Sequence, residues 1–229
     1  MAVDRLAEEG LDMEFKLVIA SKNYSSWSLR AWLALEQTGA PYEEILISTA
    51  DPDWHAQIKR VSPSGKVPLL IDDSIDGGFE VGDSLAIIEY LNERFPKAGL
   101  WPSEVKARAV ARSVSAEMHS GFVALRMNME MDIAANEPGK GHVPDALADA
   151  ARIQTIWGDC RRRFGQGGPF LFGAFTAADC FYAPVVFRFR SYGVVLDATA
   201  KAYCDAMVAD PKVVKWVEGA KKGQRIYHR

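Results

Sequence analysis

The feature that most constrains this chain is a change in hydrophobic period near residue 95. Before it, short apolar runs alternate with amphipathic stretches. "FKLVIA" reads as a strand, and Leu29, Trp32, Leu33 and Glu36 trace helical spacing that stops at Gly39. "YEEILI" reads as a second strand and "DWHAQIKR" as a short helix. "SPSGKVPLLID" carries a third strand and "GGFEV" a brief fourth, joined through the turn-forming "DDSIDGG". "DSLAIIEYLNERF" closes the segment as an amphipathic helix. The order is βαβαββα, which predicts a compact α/β unit with a mixed four-stranded sheet.

In "PKAGLWP" Pro96, Gly99 and Pro102 interrupt helical continuity. Everything beyond reads helical. "SEVKARAVARSVSAEMHSGFVALRMNMEMDI" is expected to be one long helix, "DALADAARIQTIWGDCRRRF" a second and "TAADCFYAPVVFRFRSYG" a third, with two shorter ones around "TAKAYCDAMVA" and "PKVVKWVEGA". In "FTAAD", Thr176 is placed as N-cap with Asp179 three residues on, a capping-box signal worth on the order of 1 kcal/mol. The expected division is an N-terminal extension over 1–14, an α/β domain over 15–95, a linker over 96–102 and an all-helical bundle over 103–229.

The 229 residues are 48% hydrophobic and 25% charged, an ordinary globular composition. A formal net charge of -3 argues against a generic nucleic-acid surface. No apolar run approaches the roughly 20 residues needed to cross a bilayer, and "MAVDRLAEEGLDME" lacks a signal-peptide pattern, so a cytoplasmic protein without membrane partners is expected. Cys160, Cys180 and Cys204 are widely spaced with no C-x-x-C, which predicts buried free thiols. His55, His119, His142 and His228 form no short ligand spacing, and no metal site is expected.

Three short motifs fall at one end of the predicted sheet, where open α/β folds bind ligands. In "NYSSWSLR" a run of hydroxyls stands where a strand turns into a helix, so the serines either cap that helix or do chemistry. In "SGKVPLL" a proline sits at the mouth of a strand, where it cannot donate to the ladder. A cis Val67-Pro68 bond there would turn the Val67 backbone outward, leaving its N–H and C=O free to pair with an extended peptide. In "VGDSLAIIEYL", Asp83 and Ser84 open a helix whose backbone N–H groups and hydroxyl can hold a carboxylate, while Asp83 can meet an ammonium group. Taken singly, each motif is also explained by capping or by a plain edge strand.

Together, "NYSSWSLRAWLAL", "SPSGKVPLL", "GDSLAIIEYL" and "FTAADCFYAPV" resemble the cytosolic glutathione S-transferases over about residues 15–220. The serine pattern is most similar to the zeta class, which includes maleylacetoacetate isomerases, and departs from it at Trp27, where a zeta-like protein carries cysteine. The resemblance implies a thioredoxin-like N-terminal domain, an all-α C-terminal bundle, a homodimer, and glutathione as co-substrate. It places Ser25 at the activating hydroxyl, followed by Arg30 in the first helix. Ser26, Trp27, Lys66, Val67, Asp83 and Ser84 become the glutathione contacts. A small electrophile would lie against the long helix, with His119, Phe122 and Arg126 as candidate contacts and Arg126 the candidate for a substrate carboxylate. The implied activity is glutathione transfer to a small electrophile. The alternatives are glutathione-dependent cis-trans isomerisation of a dicarboxylate, or a non-catalytic binding module.

Overall fold

The computed structural model describes residues 14–223. Most of the expected N-terminal extension, and His228, lie outside the described residues. The first half contains β1 (Phe15–Ala20), α1 (Ser26–Thr38), β2 (Tyr42–Ile47), α2 (Trp54–Val61), β3 (Leu69–Asp72), β4 (Phe79–Gly82) and α3 (Ser84–Arg94). This is the βαβαββα order read from the period. The sheet order is β2-β1-β3-β4, with β1 parallel to β2 and antiparallel to β3, and β3 antiparallel to β4. β1 is therefore central, which is why "FKLVIA" is apolar at five of its six positions rather than alternating.

Side chains alternate across a strand, and the two faces of this sheet bury different helices. Phe15, Leu17, Ile19 and Leu70 pack with Leu29, Trp32, Leu33, Ile87 and Leu91 of α1 and α3 in the main core. Val18 and Leu69 pack on the other side with Ile47 and with Ile58 of α2. The smaller cluster matters for function, because it fixes α2 beside the start of β3. Gly39, at φ 73, closes α1 in the left-handed conformation that glycine adopts without a Cβ clash.

A 3-10 turn, Pro96–Ala98, leads to the helices α4 (Val105–Ser120), α5 (Val123–Asn128), α6 (Pro144–Phe164), α7 (Ala177–Tyr192), α8 (Ala198–Ala209) and α9 (Pro211–Lys222). Apart from Arg190, every residue of α7 is buried, so this helix runs through the middle of the bundle. The three cysteines are buried and free, as expected. No helix among the described residues is long and apolar enough to cross a membrane.

The expected long helix is instead two, α4 and α5. A Cβ at Gly121 would lie 2.8 Å from the Glu117 carbonyl, and Phe122 then takes the left-handed conformation at φ 57 and ψ 43. The break escapes a periodicity reading because Met118, Phe122, Leu125 and Met129 keep helical spacing across it and all remain buried.

The two halves meet through direct bonds. Trp216 Nε1 donates to the Lys22 carbonyl at 3.0 Å, Asn23 Nδ2 donates to Asp132 Oδ1 at 2.7 Å, and Lys215 pairs with Glu36 at 2.8 Å. Arg112 forks onto Glu89 at 3.0 and 3.2 Å. The Arg112–Glu89 pair joins α4 to α3, and His119 in the last turn of α4 comes within 3.4 Å of Asp83 at the N-terminus of α3.

Candidate active site

A cleft of about 640 Å³ opens between α2, the segment leading into β3 and the N-terminus of α3. Of the residues picked out from the sequence, Trp27, Lys66, Val67, Asp83 and Ser84 line it. Ser25 and Ser26 lie just behind Trp27 and are not part of the lining.

Ser25 is the N-cap of α1. Its Oγ accepts the Ser28 N–H at 3.3 Å and donates to Ser28 Oγ at 2.7 Å, while Ser28 Oγ also accepts the Ala20 N–H at 3.1 Å. This relay of hydroxyls ties the end of β1 to the start of α1, and Ser25 is the serine that caps the helix. Ser26 is buried in the first turn, and its neighbour Trp27 turns toward the cleft.

The Val67-Pro68 peptide is cis. Pairing between β3 and β4 begins at Leu69, which leaves the Val67 N–H and C=O outside the register of the ladder. The approach is shaped by Ser62, whose hydroxyl donates to the Lys66 carbonyl at 2.8 Å, and by Gly65 at φ 66. A segment held this way offers one extended edge to a peptide-like ligand.

Asp83 caps α3, its Oδ1 accepting the Leu85 N–H at 2.7 Å. It does so at φ 70, a conformation that non-glycine residues rarely adopt and that clusters at binding sites. Next to it, Ser84 is 0% exposed and its Oγ has no hydrogen-bond partner. An unpaired buried hydroxyl costs about 1–3 kcal/mol.

Behind Trp27 lies a concentration of positive charge. Arg30 is 1% exposed, its guanidinium held 4.4 Å from the Trp27 ring centroid and 5.2 Å from that of Phe181, with Nε and Nη1 unpartnered. Burial, then the charges of Arg126 and Arg188, push its pKa well below the ordinary arginine value. Arg126 lies 5.1 Å from the Trp27 ring. Its guanidinium donates to the carbonyls of Gly121 at 2.9 Å, His119 at 3.1 Å and Met118. It therefore caps the end of α4, and sequence reasoning had no broken helix to assign it to. Phe122 is buried at the break and does not line the cleft. His119 stands edge-on to Trp27 at 5.2 Å, with Nε2 3.4 Å from Asp83 Oδ2.

The wall that sequence reasoning missed is α2. Trp54 and His55 stack at 3.6 Å and, with Ile58, line the cleft opposite Asp83. The available signal was a Trp-His pair at the exposed start of a helix with only one buried residue.

A mixed sheet carrying a helical bundle, with a cleft that offers a free strand edge beside a helix N-terminus, defines a thioredoxin-like protein suited to a small peptide. The chain matches the family model for the glutathione S-transferase N-terminal domain over residues 24–94 and that for the glutathione S-transferase C-terminal domain over 140–219. It is 30% identical over 195 residues to a maleylacetoacetate isomerase of Pseudomonas aeruginosa, covering 80% of this chain and 85% of the relative. It is 28% identical over 177 residues to glutathione S-transferase Z2 of Arabidopsis thaliana, covering 75% of each. A glutathione transferase homologue from Burkholderia, solved with bound glutathione, superposes with a TM-score of 0.66 at 22% identity, covering 92% of this chain and 99% of that one. The chain belongs to the glutathione S-transferase family.

Proposed function

We propose that the cleft binds glutathione and that the protein activates its thiol as the thiolate, which attacks a small electrophile and joins it to the intact peptide through sulfur. The observation that carries this reading is the pairing of Asp83 with the unpartnered, buried Ser84 hydroxyl. A carboxylate for an ammonium group and a hydroxyl for a carboxylate stand side by side, matched to the amino-acid end of a γ-glutamyl peptide. Val67 supplies the backbone edge for the central cysteine, and Lys66 adds a cation beside it. Ser26 and Trp27 back the sulfur end.

Ser25 is assigned the role of donor to the sulfur. Lowering a thiol from near 8.5 by about two units requires roughly 2.7 kcal/mol in favour of the thiolate. A hydroxyl hydrogen bond to a charged acceptor contributes about 1.5–3 kcal/mol, and the N-terminus of α1 about 0.3–1 kcal/mol more. To serve the sulfur, the Ser25 proton must leave Ser28 Oγ. The neutral bond given up is worth about 0.5–1.5 kcal/mol, so the exchange favours the thiolate. Ser28 keeps its bond from the Ala20 N–H throughout.

Glutathione-dependent cis-trans isomerisation of a dicarboxylate is the second reading, favoured by the identity with the Pseudomonas relative. The electrophile would enter beside Trp27, His119 and Arg126. We further infer a cytoplasmic homodimer, consistent with three buried free thiols and with Phe79 lying 46% exposed on edge strand β4. The test is calorimetric titration with glutathione, followed by product analysis with a chlorinated aromatic acceptor and with maleylacetoacetate. A conjugate from the first supports transfer, and geometric conversion of the second moves the assignment to isomerase. Binding without either product leaves a non-catalytic module.

A further inference from the structure

His119 lies in the last turn of α4, beside Asp83 but outside the residues that line the cleft, and its two ring nitrogens have unlike surroundings. Nδ1 is buried without a hydrogen-bond partner, while Nε2 lies 3.4 Å from Asp83 Oδ2. The charged groups that act on the ring are Asp83 at the start of α3, Arg30 on α1 and Arg126 on α5. From α7 it meets the uncharged ring of Phe181, with centroids 5.9 Å apart. A proton on Nδ1 would find no acceptor and would sit among guanidinium groups. The neutral ring therefore carries its proton on Nε2, toward the carboxylate. Burial, with Arg30 and Arg126 adding to it against the pull of Asp83, keeps the imidazole below its usual pKa and hence neutral at pH 7.

Asp83 needs such a neighbour. Its Oδ1 is engaged by the Leu85 N–H, and among the described residues no hydrogen bond reaches Oδ2. The side chain is 50% exposed, so Oδ2 is free to turn toward solvent instead of the cleft. A cation in the place of His119 would pair with the carboxylate and cancel the charge that a ligand ammonium needs. A neutral donor steadies the oxygen and leaves the charge intact.

We propose that His119 is a positioning residue for the amino group of glutathione: as a neutral imidazole it presents Nε2–H to Asp83 Oδ2 and holds that oxygen on the cleft side for the ligand ammonium. This rests on the glutathione reading given above. A residue of the helical half thus sets affinity at a subsite built on α3, and acts only through the ligand's amino group.

The test compares glutathione with its desamino analogue, glutaryl-cysteinyl-glycine, titrated at pH 7 by quenching of tryptophan fluorescence in wild type, His119→Leu and His119→Gln. His119→Leu, which removes the 3.4 Å polar contact between Nε2 and Oδ2, should weaken glutathione about fivefold. His119→Gln, which keeps an N–H near the position of Nε2, should restore binding to within about twofold. The analogue should bind all three proteins alike. An equal loss for both ligands in His119→Leu, or no recovery in His119→Gln, overturns the positioning role. Failure of wild type to bind glutathione overturns instead the reading on which it rests.

Discussion

At the residue scale the site is a set of polar groups left incomplete by folding. The Ser84 hydroxyl is buried without a partner, and Arg30 carries two unpartnered donors in the core. Buried polar groups are ordinarily satisfied, and of these two only Ser84 also lines the cleft. Ser84 and Asp83 were legible in the sequence because a helix N-terminus is a local signal. The approach of His119 to Asp83 was not, since the two residues lie on elements that meet only in the folded chain. The contacts assigned to Ser84 lie remote from the sulfur and hold ground state and transition state alike. Ser84→Ala should therefore raise the KM for glutathione several-fold, by about 1–2 kcal/mol in binding, and leave kcat nearly intact. Steady-state kinetics showing a fall in kcat at constant KM would displace Ser84 from this role.

At the element scale the entry to α7 shows how one acid organises a helix. Asp179 Oδ2 accepts from the Thr176 N–H at 2.8 Å and the Thr176 hydroxyl at 3.0 Å. Its Oδ1 accepts from the Leu171 N–H at 3.2 Å and the Tyr203 hydroxyl at 3.1 Å. The local half of this arrangement was readable in "FTAAD"; the bonds from Leu171 and Tyr203 depend on packing. Burial pushes the Asp179 carboxyl up to about 6 even though all four donors pull it down. Because the folded state holds the proton more tightly than the unfolded chain, this group favours folding below the ordinary carboxylate range. That contribution is lost as pH rises through about 6. Between pH 4 and 6, denaturant titrations should show wild type losing about 2 kcal/mol relative to Asp179→Asn, whatever the offset between the two proteins. Parallel curves would contradict this account. The α4 to α5 break was hidden for a different reason: a left-handed residue at Phe122 changes chain direction while leaving the apolar spacing undisturbed.

At the scale of the whole molecule, the change of period near residue 95 separated a sheet from a bundle, and both are present. How the halves dock was not legible, because the bonds from Trp216 to Lys22, Asn23 to Asp132 and Lys215 to Glu36 join residues far apart in sequence. The site depends on a further long-range contact, since Arg112 on α4 forks onto Glu89 on α3, the same two helices that carry His119 and Asp83. An assembly of two chains would cover apolar surface such as Phe79 on β4. Sedimentation at micromolar concentration should report a species of twice the 25.3 kDa chain mass. A stable single-chain species would remove the homodimer.

The claim on which the catalytic reading turns is that Ser25 stabilises a thiolate. Ultraviolet titration of the glutathione thiolate in the binary complex tests it directly, in wild type, Ser25→Ala and Ser26→Ala. Loss of the charged hydrogen bond in Ser25→Ala should raise the bound thiol's pKa by about one to two units while glutathione still binds. Ser26→Ala, whose hydroxyl is buried in the first turn of α1, should titrate like wild type. A shift confined to Ser26→Ala would move the role by one residue. Identical titrations in all three proteins would contradict serine activation and leave the cleft as a binding site alone.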